Sequence, residues 1–291
     1  MKIIVHGRNF NEAAQPFIQL LFDTFASRHF QVQISASFVT FLTSVGVKLT
    51  NFSTYNHFSE VNDASFMFSV GGDGTLLDAV SHVGARQIPI VGINTGRLGF
   101  LATVSPSEIE TMLNALWNNN YEIEKRTLVS LQSDKDLFDG ANFALNDLTI
   151  TKTDISSMIT VHTYLDGEFL NSYWADGLIV STPTGSTGYS LSCGGPVLLP
   201  QNQNFILTPV SPHNLNVRPM IIPDSSELSF SVVSRSNNFL VSLDTRFKIV
   251  DGSTKLTVRR EKFKAHLVRF NKNTFLNTLR QKLNWGLDVR N

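Results

Sequence analysis

Short strand-like and helix-like segments alternate over the first hundred residues, and this alternation constrains the fold more than any other feature. A helical spacing of apolar residues extends from Glu12 to Arg28. Four apolar runs have the pattern of buried strands: residues 2–7, 31–37, 66–70 and 88–94. Strands that alternate with helices predict a parallel sheet joined by crossover helices. We therefore expect a Rossmann-like parallel α/β domain over residues 1–120, with ligands bound at the carboxyl ends of its strands.

A further helix is expected near the end of this domain. Ser105 can cap a helix, Pro106 suits its first position, and Glu108 completes a capping box. The pattern predicts a helix that continues to about Trp117.

Beyond about residue 120 the alternation of strand-like and helix-like segments gives way to strand-like runs. Asp166-Gly167 and Asp251-Gly252 lie between such runs, and Asp-Gly is a strong hairpin signal. We expect a second, β-sandwich-like domain over residues 121–268. The runs that carry this prediction are TLVSLQS, FALNDLTITKT, MITVHTYL, EFLNSYWADGLIVS, ELSFSVVS, FLVSLDTRFKIV and KLTVRREKFKAHLVRF.

The tail, residues 269–291, has apolar residues at helical spacing between Thr274 and Leu287. These residues predict a C-terminal helix that packs back on the first domain.

Charge and cysteine content narrow the classes of partner and compartment. The chain has 24 basic and 24 acidic residues and no basic block, which argues against nucleic acid or an anionic membrane as the main partner. No apolar stretch approaches the ~20 residues of a membrane span, and the apolar run at the N-terminus is too short for a signal peptide. The single cysteine, Cys193, fits a reducing compartment. We expect a cytoplasmic protein.

A glycine-rich loop, Gly-Gly-Asp-Gly-Thr at residues 71–75, follows a strand-like run and precedes a helix-like one. It does not match the P-loop pattern, and the dinucleotide fingerprint would need glycine where the chain has Leu77. Backbone N–H groups, a helix N-terminus and a hydroxyl group all suit phosphate oxygens. The loop therefore predicts a phosphate-binding site.

Asp73 in the middle of this loop would repel phosphate unless it has another task. It could hold Mg²⁺ that bridges the phosphates. It could also act as a general base that accepts the proton of an attacking hydroxyl group. The structural alternative is a plain turn in which Asp73 caps a helix at Leu76. The five residues alone leave these alternatives open.

Two other constellations carry polar groups that suit a nucleotide. Residues 176–196 form a loop dense in hydroxyl groups and glycines, in which Tyr189 offers a ring for a base to stack on. Asn146 and Asp147 interrupt an apolar run, and such polar residues are costly to bury without partners. Asn146 can pair with an adenine edge, and Asp147 can accept from ribose hydroxyl groups. The structural alternative for residues 176–196 is an ordinary loop. For Asn146 and Asp147 it is an edge strand or a bulge.

These motifs occur in the same order as in the NAD kinase family, which the sequence resembles over most of the chain. The resemblance is carried by GGDGTLL, ALNDLTI, ADGLIVSTPTGSTGYSLSCGGP and TPVSPHNLNVRPMIIPDSSEL. It implies transfer of the γ-phosphoryl group of ATP, with Mg²⁺, to the 2′-hydroxyl of the adenosine ribose of NAD. It also implies an active site between an α/β and a β domain, and a homo-oligomer (dimer or tetramer) whose neighbouring subunits complete the site.

The resemblance assigns roles to individual residues. It implies that Asp73 is the general base and that Gly74 belongs to the phosphate loop. It implies that Asn146 and Asp147 hold the adenine and ribose of NAD, and that Asp176 contacts the dinucleotide, in some members from the neighbouring subunit. The clamp around the adenosine half would comprise Thr187, Gly188, Tyr189, Ser190, Leu191 and Ser192. No metal-ligating protein residue is predicted.

This chain departs from the family pattern at several positions. Gly188 stands where many members have alanine, which should loosen the clamp slightly. Arg97 is displaced by two positions, and Arg246 replaces a common glutamine, so contacts to the donor phosphates and to NAD should differ there. Asp147 replaces the commoner glutamate. Cys193 is interpreted as a packed residue and not a nucleophile, since no histidine lies nearby in sequence.

Two other functions share some of these features. A lipid or sphingoid-base kinase has a similar glycine-rich loop but predicts an apolar or basic membrane-facing surface. A non-catalytic NAD(P)-binding regulator would be favoured if Asp73 were missing, and the residue is present.

Overall fold

A computed structural model of the chain describes residues 1–61, 63–97, 99–154, 157–270 and 274–286. It divides into two compact units. The first combines Met1–Lys125 with Ala265–Asn291, and the second is Arg126–Lys264. Within the predicted tail of 269–291, residues 271–273 and 287–291 lie outside the described part. No helix in the described residues is long and apolar enough to cross a membrane.

The described strands of the first unit form one sheet of seven strands. Their bounds are β1 Lys2–Gly7, β2 Gln31–Ser35, β3 Phe52–Tyr55, β4 Phe66–Gly71, β5 Ile90–Asn94, β6 Glu122–Arg126 and, last in the chain, β19 Ala265–Arg269. The order is β3-β2-β1-β4-β5-β19-β6. Strands β1 to β5 pair in parallel, and β19 pairs in parallel with β5. The predicted α/β class is confirmed.

Burial explains why these strands read as continuous apolar runs. Every residue of β4 and β5 is buried, as expected for a parallel sheet covered on both faces. Because β1 pairs with β2 on one side and β4 on the other, the strand order reverses between β1 and β4. Ligands of open α/β sheets bind at the carboxyl ends of strands beside such a reversal. The glycine-rich loop follows the carboxyl end of β4.

The helices are α1 Gln15–Ser27, α2 Ala36–Ser44, α3 Asp73–Val83, α4 Ile109–Trp117, α5 Tyr189–Ser192 and α6 Phe275–Leu283. The predicted strand over 31–37 was too long, because Ala36 already begins α2. Helix α3 begins at Asp73, earlier than the helix-like run from Leu76 suggested. The capping box of Ser105 and Glu108 is confirmed, with a short 3-10 turn before α4.

In the second unit, the strands of the described residues form two six-stranded antiparallel sheets. Their strand orders are β11-β10-β15-β18-β7-β8 and β14-β13-β12-β9-β16-β17. One apolar core contains buried side chains from both sheets, so the predicted sandwich-like class is confirmed. The bounds are β7 Val129–Ser133, β8 Phe143–Ala144, β9 Asp147–Lys152, β10 Ile159–Leu165, β11 Glu168–Ala175, β12 Gly177–Ser181, β13 Asn204–Val210, β14 Met220–Pro223, β15 Leu228–Val233, β16 Asn238–Leu243, β17 Arg246–Asp251 and β18 Leu256–Arg260.

Of the two Asp-Gly hairpins, one is confirmed and one is wrong. Asp166-Gly167 joins the antiparallel strands β10 and β11, with positive φ at both residues. Asp251-Gly252 instead leads from β17 to β18, which lie in different sheets. The tight turn that the sequence did not reveal is Asp244-Thr245, between β16 and β17.

Helix α6 belongs to the first unit, as the helical spacing of apolar residues in the tail predicted. Its Phe275 ring lies 6.1 Å from the ring of Phe100, and the Nζ atom of Lys282 lies 5.3 Å from the Phe100 ring. The helix therefore packs next to the segment that follows β5.

Candidate active site

The glycine-rich loop joins β4 to α3 directly, with Gly72 as the N-cap of the helix. A β-carbon at Gly71 would overlap the side chain of Thr75, so glycine allows the loop to close on that residue. Positions Gly72 and Gly74 face open space. Gly72 is exposed and Gly74 half-buried, so the backbone at the start of α3 is partly accessible to an anion.

Asp73 is half-buried, and its carboxylate bonds to a distant segment of the same unit. Oδ2 accepts the N–H of Phe100 at 2.8 Å, and Oδ1 accepts those of Leu101 at 3.0 Å and Ala102 at 3.1 Å. A carboxylate has about four acceptor sites, so these bonds leave one on Oδ2. The alternative in which Asp73 caps the helix at Leu76 does not describe the structure, because no side chain caps α3.

Sequence reasoning missed Gly99, which makes this arrangement possible. A β-carbon at Gly99 would overlap both carboxylate oxygens of Asp73. The signal was available in the sequence, as a glycine between apolar residues shortly after a strand end. Glycine at this position allows the backbone to approach the carboxylate closely.

The carboxyl end of β5 shapes the same loop. Asn94 ends β5, and its Nδ2 donates to the carbonyl oxygens of Arg97 at 2.7 Å and Ala102 at 3.3 Å. Its Oδ1 accepts the N–H of Gly96 at 2.9 Å. The Arg97 side chain is exposed, and its role toward donor phosphates stays a prediction.

In the second unit, Asn146 lies between β8 and β9, which belong to different sheets. It is therefore neither an edge-strand residue nor a bulge within one strand. Its Oδ1 is buried and has no hydrogen-bond partner among the described residues. An unsatisfied buried oxygen is costly, and a ligand that donates a hydrogen bond would remove that cost.

Asp244, in the turn between β16 and β17, holds the Asn146 segment and was also missed from sequence. Its carboxylate accepts the N–H groups of Leu145 at 2.8 Å, Asn146 at 2.7 Å and Asp147 at 3.3 Å. Its own N–H donates to the carbonyl oxygen of Asp147 at 3.1 Å. These bonds fix the backbone at the two residues expected to hold adenosine.

Two carboxyl groups in this region, those of the buried Asp147 and the half-buried Asp244, have altered acidity. Burial, and then the negative charge of Asp244, raise the pKa of Asp147 to about 7. Burial also raises the pKa of Asp244 to about 6, although the three N–H groups and Arg246 oppose this rise. The pair therefore takes up protons far more readily than exposed acids do.

The hydroxyl-rich loop packs against the Asn146 segment. The N–H of Thr182 donates to the carbonyl oxygen of Asn146 at 2.9 Å, and a β-carbon at Gly185 would overlap that carbonyl group. The buried Arg126 donates through Nη1 to Oγ1 of Thr184 at 3.1 Å. The loop and the Asn146 segment therefore form one arrangement.

Within the predicted clamp, the residues have different environments. Tyr189 is 44% exposed, so its ring is accessible for stacking, whereas Ser190 is fully buried and its hydroxyl bonds to that of Thr208 at 2.8 Å. Leu191 is half-buried and Ser192 is exposed. Thr187, also half-buried, directs Oγ1 toward the carbonyl oxygen of Thr184 at 3.4 Å.

A methyl group at Gly188 would lie 3.2 Å from the carbonyl oxygen of Gly185 and 3.8 Å from Nδ2 of Asn146. The glycine therefore leaves room beside this amide. Burial raises the pKa of the Cys193 thiol, which favours the thiol over the nucleophilic thiolate.

The last two candidate residues have partners in the fold. Asp176 forms an ion pair with Lys152, with 2.6 Å between Oδ1 and Nζ. The guanidinium group of Arg246 donates to the carbonyl oxygens of Ala141 and Phe143. Arg246 thereby supports the strand that leads to Asn146.

Comparison with known proteins finds a family model that matches each of the two units. The ATP-NAD kinase N-terminal domain matches residues 12–121, and the ATP-NAD kinase C-terminal domain matches residues 145–270. The NAD kinase of Cytophaga hutchinsonii is 52% identical over 292 residues, covering 100% of both chains. The NAD kinase of Flavobacterium psychrophilum is 48% identical over 297 residues, again covering 100% of both.

Solved structures are similar as well. An NAD kinase from Archaeoglobus fulgidus in complex with ATP has a TM-score of 0.76 and 26% identity, covering 98% of this chain and 99% of that one. Yeast NADH kinase complexed with NADH has a TM-score of 0.86 over 100% of this chain and 89% of that one. At 22% identity the yeast structure supports the fold alone.

Proposed function

The chain belongs to the NAD kinase family, and from this premise we propose that it transfers the γ-phosphoryl group of ATP to the 2′-hydroxyl of the adenosine ribose of NAD. The product is NADP. The observation that carries the chemistry is the Asp73 carboxylate, held at the phosphate-binding turn by three backbone N–H groups with one acceptor site left on Oδ2.

Asp73 acts as the general base in this proposal. A sugar hydroxyl group is almost wholly protonated at neutral pH, so its oxygen is a weak nucleophile. Oδ2 of Asp73 accepts the proton as the 2′-oxygen forms a bond to the γ-phosphorus and the bond from that phosphorus to ADP breaks. A positioned base of this kind contributes on the order of 10²–10⁴ in rate.

The phosphates bind at the start of α3, where Gly72 and Gly74 leave the backbone accessible. Mg²⁺ bound to ATP would supply neutralisation of the phosphate charge. Among the described residues, no group of three or more His, Cys, Asp or Glu could hold a metal ion. Mg²⁺ commonly binds through substrate phosphates with only one or two carboxylates, so the residues present are compatible with delivery as the ATP complex.

NAD is held by the second unit in this proposal. Asn146 pairs with the adenine edge, which is supported by its unsatisfied buried Oδ1. Asp147 bonds to the ribose hydroxyl groups, and the exposed ring of Tyr189 stacks on the base. Asp176 contacts the dinucleotide of a neighbouring subunit. The rest of the clamp, Thr187 to Ser192, closes around the adenosine.

We further propose that the chain forms a homo-oligomer, a dimer or tetramer, in the cytoplasm. Strand β17 is the edge of its sheet and exposes Phe247 at 65% and Ile249 at 67%. Exposed apolar edge strands readily pair with another chain. A lone cysteine, Cys193, is compatible with a reducing compartment.

One assay tests the activity. The protein is incubated with ATP, Mg²⁺ and NAD, and NADP is read with a dehydrogenase that accepts only NADP. We expect product with the wild type. No product with NAD, together with phosphorylation of a lipid or sphingoid base, would assign the chain to the lipid kinases. NAD binding without turnover would make it a regulator.

A further inference from the structure

Arg269, at the end of β19, is largely buried at 14% side-chain exposure and makes a set of bonds that the proposed chemistry does not use. Its Nε donates to Oε2 of Glu124 at 2.9 Å. Its Nη1 donates to the carbonyl oxygen of Leu101 at 3.1 Å and to Oγ1 of Thr103 at 3.3 Å. Its Nη2 donates to the carbonyl oxygen of Phe100 at 3.4 Å.

The two carbonyl groups belong to the same peptide groups that hold Asp73. The carbonyl of Phe100 shares a planar peptide with the N–H of Leu101, which donates to Oδ1 of Asp73 at 3.0 Å. The carbonyl of Leu101 shares a peptide with the N–H of Ala102, which donates to the same Oδ1 at 3.1 Å. Two peptide groups therefore connect the guanidinium group to the carboxylate.

This connection is electrostatically favourable. Each of the two peptide dipoles has its carbonyl end toward the cation and its N–H end toward the anion. A cation on the carbonyl side polarises the peptide and strengthens its N–H as a donor. The same bonds also fix where the backbone of Phe100, Leu101 and Ala102 lies, and therefore where the carboxylate of Asp73 is held.

Other contacts brace this arrangement within the same unit. Glu124 on β6 orients the guanidinium group through Nε. Phe275 and Lys282 of α6 pack against the ring of Phe100. The segment is thus contacted by β19 and α6, which come late in the chain, and β6 orients Arg269.

We propose that Arg269 is a positioning residue for the reaction, acting on Asp73 through the peptide groups 100–101 and 101–102. This inference rests on the proposed function, in which Asp73 is the base. Arg269 itself touches no reacting atom in this scheme. It determines how accurately the carboxylate of the base is positioned, and a misplacement of about 1 Å at a reacting group can cost about 10²-fold in rate.

The first test is Arg269→Gln in the full-length protein. We expect kcat to fall by about 10- to 100-fold, while KM for NAD and for ATP stays within about twofold. Arg260→Gln is the matched control, because Arg260 forms an ion pair with the buried Asp224 in the second unit and has no bond to residues 100–102. We expect Arg260→Gln to keep the wild-type kcat.

A double-mutant cycle separates positioning from general damage to the fold. If Arg269 acts through the base, Arg269→Gln should cause no further loss of kcat in an Asp73→Asn background. An equal loss in both backgrounds would overturn the proposal, and so would an unchanged kcat for Arg269→Gln alone. Residual turnover of the Asp73→Asn background is followed by long incubation with enzymatic cycling of NADP.

Thermal unfolding of each variant monitors folding. If Arg269→Gln does not fold, Arg269→Lys and Glu124→Gln replace it, and each should lower kcat several-fold with KM values unchanged. Wild-type kcat in both of these variants would overturn the proposal. A wild type that makes no NADP at all would instead contradict the proposed function, so the two failures can be distinguished.

Discussion

Gly99 lies against the carboxylate of Asp73 so closely that no side chain fits at position 99. The N–H groups that hold this carboxylate begin at the next residue, Phe100. The glycine and the acid are therefore a matched pair, although they are far apart in the sequence.

Gly99→Ala should displace the carboxylate of Asp73, because the new β-carbon would occupy its place. We expect kcat for NADP formation to fall by about 10²-fold, as for a misplaced reacting group. Gly96→Ala is the control in the same loop, since its β-carbon would lie 3.8 Å from Oδ1 of Asn94, an ordinary contact. Equal kcat in the two variants would contradict this role for Gly99.

Asp73→Asn should lower kcat by about 10²–10⁴-fold, because an amide cannot accept the proton of the 2′-hydroxyl group. The dissociation constant for NAD, measured by calorimetry, should stay near that of the wild type. Asp78→Asn is a control on the same helix, where Asp78 forms an ion pair with Arg8. Full activity of Asp73→Asn would remove the carboxylate from the role of base.

Asn146→Ala should weaken NAD binding by about tenfold, since the adenine edge loses a hydrogen-bonding partner. Calorimetric titration with NAD measures this directly. Asn142 offers a matched control in the same segment, because its Nδ2 bonds to Asp136 instead. If Asn142→Ala and Asn146→Ala bind NAD equally well, Asn146 does not contact the adenine.

The pair Asp147 and Asp244 predicts a pH dependence of stability. Their folded pKa values, about 7 and about 6, exceed the ordinary value of 3.8. Between about pH 4 and 7 the folded protein therefore holds protons that the unfolded chain has released, so the contribution of the pair to the free energy of unfolding falls as pH rises.

Urea unfolding at pH 5 and pH 8 tests this pair. The stability of Asp147→Asn relative to wild type should increase from pH 5 to pH 8, because the variant lacks one ionisable group. A relative stability that is the same at both pH values would contradict the buried, proton-binding state of Asp147.

Replacing Phe247 and Ile249 on the edge strand β17 with aspartate should dissociate the proposed oligomer. Charges at these exposed apolar positions would be buried unpaired in an interface. Size-exclusion chromatography with light scattering reads the mass. Leu20→Asp, at a 39% exposed position on α1 of the first unit, is the control and should keep the wild-type mass. An unchanged mass for the double variant would exclude β17 as the interface.

The sequence pattern predicted those elements whose structure depends on residues close together in the chain. The buried strands β1, β4 and β5, the capping box at Ser105 and the hairpin at Asp166-Gly167 all follow from residues adjacent in sequence. Strand β3 was missed, because three of its four residues are exposed and it has no apolar run.

The contacts in the site that sequence reasoning missed join residues far apart in the chain. Asp73 bonds to backbone groups 27 to 29 residues away, and Asp244 bonds to backbone groups 97 to 99 residues away. An acid that holds main-chain N–H groups leaves no periodic pattern in the sequence, because its partners are peptide groups that every residue has. The apolar run around Asn146 likewise gave no sign that β8 and β9 enter different sheets.

Strand β19 enters the sheet of the first unit between β5 and β6, although the whole second unit precedes it in the chain. During synthesis, domains generally fold as units from the N-terminus onward, but this one cannot be completed before nearly all of the protein has left the ribosome. A product truncated before Ala265 would lack an interior strand and Arg269 together, so premature termination yields neither a finished first unit nor the bonds of Arg269 to the segment that holds Asp73.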